Sequence, residues 1–273
     1  MADAAPELEA ALAVQPDPLA AAFFDLDNTI LRGTSLFHLA RGLYRRRFFT
    51  ARDVARFAWQ QAKFVAFGES HELLAVAEAQ SLKFIAGHSV EELRAIGDEI
   101  FMETMADKVW PGTHGLARLH LEAGQRVWLV TASPQEIAGR IAAHLGLTGA
   151  MGTVVEQVDG VYTGCLAGPI MHGAAKVEAV LAVVEREGLD LARCSAYSDS
   201  ANDIPLLSMV GHPCAINPDR QLRAHARTHA WRIRDYRTKR RAVRFGLAAA
   251  AALGAAVGAA AGIAAVTRHP RKR

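Results

Sequence analysis

Residues 19–24, Leu-Ala-Ala-Ala-Phe-Phe, form a short apolar run that stops on Asp25-Leu26-Asp27. An unbroken apolar run of this length reads as a strand buried on both faces, the kind found in parallel sheets. Three more runs of the same type follow: Arg-Val-Trp-Leu-Val-Thr-Ala-Ser (126–133), Cys-Ser-Ala-Tyr-Ser-Asp-Ser (194–200) and His-Pro-Cys-Ala-Ile-Asn-Pro (212–218). Stretches of helical periodicity separate them, near 113–124, 134–145 and 174–187 and after Asn202. Strands alternating with helices predict an α/β fold, a three-layer α/β/α doubly wound parallel sheet.

One block does not alternate. From Ser35 to about Asp107 the apolar spacing is helical throughout, and about four helices are expected with no strand between them. Gly68-Glu69-Ser70 and Gly87-His88-Ser89 break the pattern, with Ser89 placed to cap a helix. The block falls between the first strand and the rest, so it reads as an inserted helical cap. Further on, Asp159-Gly160 joins two extended pieces and predicts a hairpin. The expected division is a leader over 1–18, a catalytic core over 19–33 and 109–236, and a cap over 34–108. A basic linker (237–244), a membrane-spanning helix (245–266) and a basic tail (267–273) complete it.

Charge is distributed unevenly. Residues 1–219 carry 17 Lys and Arg against 27 Asp and Glu, a net of −10; residues 220–273 carry 14 against one, a net of +13. An acidic body argues against nucleic acid as a partner, whereas a basic cluster beside an apolar run suits a membrane surface. Cys165, Cys194 and Cys214 form no paired spacing, so neither a disulfide framework nor a zinc site is expected.

The chemistry lies at the strand ends, where ligands of doubly wound sheets bind. The runs end in Asp25, Asp27 and Thr29, in Thr131 and Ser133, and in Ser198, Asp199 and Asp203. A strand period of two turns Asp25 and Asp27 the same way. Carboxylates gathered so closely are costly unless a cation neutralises them, and an oxygen-lined acidic site that also meets phosphate suits Mg²⁺. Lys176, entering a helix, is placed to offset the remaining charge. Ser133, just before Pro134, reads equally well as a helix cap. The histidines His38, His88, His114, His144 and His172 are scattered and read as structural or surface residues. Phe57, Trp59, Phe64 and Phe67 read as cap core, and Arg45, Arg46, Arg47, Arg52 and Arg56 mostly as solvated helix faces.

Asp-Leu-Asp-Asn-Thr (25–29), Val-Thr-Ala-Ser (130–133), Lys176 and Ser-Asp-Ser-Ala-Asn-Asp-Ile-Pro-Leu-Leu (198–207) together resemble the four ordered motifs of the haloacid dehalogenase superfamily. The longer pattern resembles its phosphoserine-phosphatase-like branch, subfamily IB. That resemblance implies a phosphoric monoester hydrolase. Asp25 would be the nucleophile and Asp27 the acid and base. Thr131, the Ala132 amide, Lys176 and Asn202 would hold phosphate, and Asp25, the Asp27 carbonyl, Asp199 and Asp203 would surround Mg²⁺. The substrate would be a small phosphorylated metabolite or a lipid-like phosphate. Thr34 stands where phosphoserine phosphatases carry a Glu for the substrate ammonium, and Thr131-Ala132-Ser133 replaces their usual Ser-Gly-Gly. Serine phosphate is therefore not expected to be the preferred substrate.

Phe245 to Val266 is an uncharged, Ala-rich run of 22 residues between basic flanks, long enough to span a bilayer. Gly254, Gly258 and Gly262 repeat the spacing of close helix pairs, which suggests a homodimer contact. The expected location is the cytoplasmic face of the cell membrane, with a cytoplasmic protein as the alternative. Rival functional readings are a phosphomutase or phosphotransferase of the same superfamily, and a membrane-tethered regulatory protein with an unused site.

Overall fold

The computed structural model describes residues 14–48, 52 and 85–237. The expected membrane span, its GxxxG contact, the leader before Val14, the aromatic residues 57–67 and Arg56 all lie outside these residues. Among the described residues no helix is long and apolar enough to cross a membrane.

Six parallel strands form the main sheet, in the order β3-β2-β1-β6-β7-β8. They are β1 (Ala21–Phe24), β2 (Arg126–Pro134), β3 (Gly149–Thr153), β6 (Ser195–Ser198), β7 (His212–Ile216) and β8 (Arg232–Arg234). β4 (Val155–Val158) and β5 (Val161–Leu166) make the predicted antiparallel hairpin. Asp159 and Gly160 both have positive φ, 50° and 75°, as a two-residue hairpin turn demands. The chain leaves β1 toward β2 and returns on the other side as β6, so the strand order reverses at β1. A crevice therefore opens at the carboxyl end of β1.

The helices are α1 (Ser35–Arg45), α2 (Val90–Ile100), α3 (Pro111–Glu122), α4 (Gln135–His144), α5 (Ala174–Glu187), α6 (Ile204–Met209) and α7 (Arg220–Thr228). Of the local signals at the helix ends, the Ser89 cap is the one expected from the sequence. The Ser89 hydroxyl accepts the Glu92 N–H at 3.0 Å, Pro111 opens α3, and Gly188 ends α5 at φ 64°. One core layer joins Ala21, Phe23, Ala196 and Ala215 of the sheet to α5, α6 and α7 through Val180, Val183, Leu206, Leu207, Leu222 and Ala226. On the opposite face α3 packs on β1 and β2, with the Phe24 ring edge-on to His120.

Two short elements had no clear counterpart in the sequence. β3 reads Gly-Ala-Met-Gly-Thr, and β8 has three residues, two of them arginines. The boundary between the chain's two compact units falls between Arg234 and Asp235, two residues before the expected end of the core.

The cap leaves the core after Leu31 and returns at Val109, which pair in an antiparallel bridge. Arg32 N–H donates to the Lys108 carbonyl and Trp110 N–H to that of Ile30, at 2.9 and 2.8 Å. A second junction ties the cap to the hairpin. Gly87 N–H donates to Tyr162 O, Tyr162 N–H to His88 O, and Val90 N–H to Gly160 O. On the other side of α2, Asp98 accepts from Arg140 Nε at 2.7 Å and lies 2.9 Å from His144 Nε2, both on α4.

Candidate active site

Asp25 is the first residue beyond β1, and its N–H donates to the Tyr197 carbonyl on β6 at 2.9 Å. That bond continues the ladder for one residue and fixes the carboxylate at the mouth of the crevice. Lys176, near the start of α5, reaches it. Its Nζ donates to Asp25 Oδ1 at 2.6 Å and to Asp203 Oδ2 at 2.8 Å. A cation in the first turn of a helix opposes the helix dipole. Two buried carboxylates offset that penalty, since Asp25, Asp203 and Lys176 are only 7, 2 and 3 % exposed.

Asp203 also accepts the Ser198 hydroxyl at 2.7 Å. Its Oδ2 is thus taken by two donors, and Asp203 holds the lysine directly. Asp199 is different: among the described residues its carboxylate has no hydrogen-bond donor. Asp219 supports this loop from below. Its N–H donates to the Asp199 carbonyl, while its carboxylate accepts from Ala201 N–H and caps α7 by accepting from Leu222 N–H.

Asp27 Oδ1 accepts the Ser35 N–H at 2.8 Å. The Ser35 hydroxyl in turn lies 2.6 Å from that of Ser133. Ser133 therefore spends its hydroxyl on the start of the cap; Pro134 holds the cap position of α4 and offers no side-chain bond. The pairing of β2 with β3 shifts register between Val130 and Pro134, which re-aims Thr131, Ala132 and Ser133 at the strand end. Gly152 makes room for this bend, because a Cβ there would lie 2.7 Å from the Ser133 carbonyl oxygen. Thr131 Oγ1 accepts the Ser133 N–H at 3.2 Å.

The turn after Asp27 depends on two residues in the left-handed region, Asn28 at φ 56° and Asn217 at φ 47°. Asn28 Oδ1 accepts the Gly33 N–H, and Asn217 Nδ2 donates to the Asn28 carbonyl at 3.0 Å. Asn202 sits exposed in the turn Ala201–Asp203, at the rim. Thr29 is fully buried behind the turn.

Asp25, Asp27, Asp199 and Asp203 thus bring four carboxylates to one lysine. Burial, with Asp203 and Asp27 nearby, pushes Asp25 up to about 7 against the pull of Lys176. Burial, with Asp25, Asp203 and Asp27 nearby, pushes Asp199 up to about 8. Burial raises Asp27 too, opposed by its bonds from Ser35. Lys176 is held above its ordinary value because the attraction of Asp25 and Asp203 outweighs its own burial.

Among the described residues no three His, Cys, Asp or Glu side chains form a closed metal-ligand group. A divalent cation nonetheless fits the donor set. Asp199 lacks a donor, its neighbours are oxygens, and the surplus of negative charge is what an added cation relieves.

The sequence named Asp25, Asp27, Thr131, Lys176, Asp199 and Asp203, and all six lie around this crevice. It gave no role to Ser35, Asn217 or Asp219, and named Ser198 only among the polar residues that end the third run. Ser198 sits within the stretches that carried the resemblance; Ser35 has no local signature.

A family model described as haloacid dehalogenase-like hydrolase matches residues 22–208. A protein of Mycobacterium tuberculosis named phosphoserine phosphatase SerB1 is 54% identical over 238 residues, covering 87% of this chain and 77% of that one. A protein named histidinol-phosphatase from Neisseria meningitidis is 27% identical, over 79% of this chain and 98% of its own. A solved structure from Bordetella pertussis, of unknown function, superimposes with a TM-score of 0.71 at 31% identity, covering 79% of this chain and 98% of that one.

Proposed function

The chain belongs to the haloacid dehalogenase-like hydrolase family as a phosphoserine-phosphatase-like phosphatase, and we propose that it cleaves a phosphomonoester through a transiently phosphorylated Asp25, with Mg²⁺ as cofactor. The observation that carries this reading is the bond from Lys176 to Asp25 at the end of β1. It holds one carboxylate oxygen and leaves the other to attack.

In the first step the free Asp25 oxygen bonds to phosphorus and the bond to the leaving oxygen breaks. Asp27 gives its proton to that oxygen; burial keeps this carboxyl protonated to higher pH than usual, as an acid requires. Water then attacks the aspartyl phosphate, Asp27 takes its proton back, and orthophosphate leaves. Thr131, the Ala132 amide, Lys176 and Asn202 hold the phosphoryl oxygens. Asp25, the Asp27 carbonyl and Asp199 would bind Mg²⁺, with Asp203 behind them, and the ion would supply positive charge where the transferring group builds up negative charge.

The substrate is a small phosphomonoester. Two relatives carry names for different ones, and Thr34, exposed at the start of α1, has no charge to offer an ammonium group. The helical insertion acts as the specificity cap, with bounds near 34 and 108. In the same reading the run 245–266 tethers the enzyme to a membrane, a point that rests on sequence alone and that membrane fractionation checks. The test of the chemistry is hydrolysis of an aryl phosphate with and without Mg²⁺, with acid-quenched labelling of the protein by ³²P-phosphate. Phosphate transfer to a second alcohol, without net hydrolysis, would favour a phosphotransferase. Full turnover in excess chelator would overturn the metal assignment.

A further inference from the structure

On one face of the sheet, β6, β7 and β8 present alternate residues to the same side: Ser195 and Tyr197, His212 and Cys214, Arg232 and Arg234. Register confirms the alignment, since Ser195 pairs with His212, Tyr197 with Cys214, and Cys214 with Arg232. Both faces of a parallel sheet are usually covered. Among the described residues, however, α3 on this side packs on β1 and β2. Beside it these side chains line a cavity of about 360 Å³, within the ordinary range of small-ligand sites.

The floor of the cavity is complete in itself. Tyr197 O–H donates to His120 Nε2 at 2.7 Å, the ring's Nδ1 meets Gln125 Oε1 at 2.7 Å, and Gln125 Nε2 donates to the Gln15 carbonyl at 2.9 Å. Burial holds His120 below its ordinary value, which keeps the ring neutral for this role. The wall is positive. Arg193, Arg232 and Arg234 all line it, and the acid among the lining residues, Asp17, is already bonded to Arg193 at 2.7 Å. Neither Arg232 nor Arg234 has a carboxylate partner among the described residues. This concentration of guanidinium stands on a body whose first 219 residues carry a net charge of −10.

We propose that this cavity is a second binding site, separate from the catalytic crevice, for a small multivalent oxyanion: a phosphate- or carboxylate-bearing metabolite held between Arg232 and Arg234. Two guanidiniums two residues apart on one strand present parallel N–H donors to such a group. Tyr197 connects the site to the catalytic centre. Its ring stacks on Phe24, with centroids 4.2 Å apart, and its carbonyl accepts the Asp25 N–H. A ligand that shifts Tyr197 therefore acts on the residue beside the nucleophile. The rival explanation is that the arginines only guard an edge strand against pairing. Such charges need no cavity and bind nothing saturably.

Binding can be read without turnover. Full-length protein is titrated in chelator, so that the acidic crevice holds no cation to attract anions, with orthophosphate and separately with tricarballylate at constant ionic strength. Calorimetry and the melting temperature are followed. One saturable site is expected for at least one anion, and its relative affinity for the two identifies the preferred group. At a hundredfold excess over Kd the melting temperature should rise by on the order of 5 °C. The variant Arg232→Gln/Arg234→Gln should bind at least tenfold more weakly while its kcat on an aryl phosphate with Mg²⁺ stays within twofold. Arg193→Gln, which releases the Asp17 carboxylate at the mouth, should weaken binding independently. Absence of saturable heat with both anions, as when the rest of the chain fills the cavity, overturns the proposal. So does unchanged affinity in both variants.

Discussion

Replacing Lys176 by Met keeps the length of the side chain and removes its charge. In the folded protein that charge is shared between Asp25 and Asp203, and the three side chains are only 4, 10 and 3 % exposed. Breaking a buried pair by deleting one partner costs about 3–5 kcal/mol, because the remaining charge has neither water nor a counterion. The cost depends on pH. Asp25 is already raised to about 7, and without Lys176 it moves higher. Below that pH it binds a proton and the part of the penalty that falls on Asp25 disappears; above it the carboxylate must be charged and bears that part in full. At pH 8 the loss should be about 6–20 °C in melting temperature, taking 2–4 °C per kcal/mol for a domain of this size. At pH 5.5 the loss should be smaller. The assay is thermal unfolding followed by circular dichroism at both pH values in chelator, repeated with Mg²⁺. The cation should recover part of the loss, since it replaces the missing positive charge. Adding Asp203→Asn should cost less than the sum of the single effects, because the two residues share one bond. A drop under about 2 °C at pH 8, or one equal at both pH values, would refute this account of the site's charge balance.

Asp25→Asn should lower aryl-phosphate turnover more than about a thousandfold, because an amide forms no acyl phosphate; near-normal kcat in the purified variant would sink the mechanism. Metal-free protein should lose stability as pH rises from about 4 toward 8. Asp25 and Asp199 hold their protons to about 7 and 8 when folded but release them near 3.8 when unfolded, so the folded state binds more protons across that window. The gain in melting temperature from Mg²⁺ should accordingly be larger at pH 8 than at pH 5.5, and a gain independent of pH counts against it. Gly211→Ala should cost about 3 kcal/mol or more in urea unfolding, since the new methyl would lie 1.7 Å from the Ala192 carbonyl oxygen; a cost under 1 kcal/mol would contradict the packing. In a substrate panel phosphoserine should be mediocre, because Thr34 leaves its ammonium group unpaired; a hundredfold preference for phosphoserine would overturn that.

Much of this site is visible in the sequence for a simple reason. Asp25, Thr131 and Asp199 each end an apolar run, so local pattern alone brings them to one edge of a sheet. Lys176 stood out only as an isolated lysine entering a helix, and the resemblance gave it a definite role, because little local distinguishes it from a solvated helix lysine. Ser35 was out of reach. Its link between Asp27 and Ser133 exists only once the chain has turned at Asn28 and β2 has bent at its register shift, and neither event has a pattern of its own. β3 was hidden by its two glycines, and β8 by its brevity and charge. Ser133 was ambiguous because one hydroxyl before a helix can cap it or reach elsewhere, and the nearby Ser35 decides which.

The cap does not hang from the core on two crossing strands alone. Its return segment is stitched to the β4–β5 hairpin by three main-chain bonds around Gly87, Val90 and Tyr162, and α2 is fastened to α4 through Asp98. A hinge at Leu31 and Val109 cannot swing freely while those attachments hold. Admitting a substrate therefore requires either that the hairpin and α2 stay put while the segment around α1 yields, or that the stitches break with each opening. In the first case the entrance works like a door hung on one post, and the exchange of the Gly87, Val90 and Tyr162 amides with solvent should be slow and indifferent to turnover. In the second their exchange should quicken as the enzyme cycles, which makes these three amides a direct reporter of how the crevice is entered.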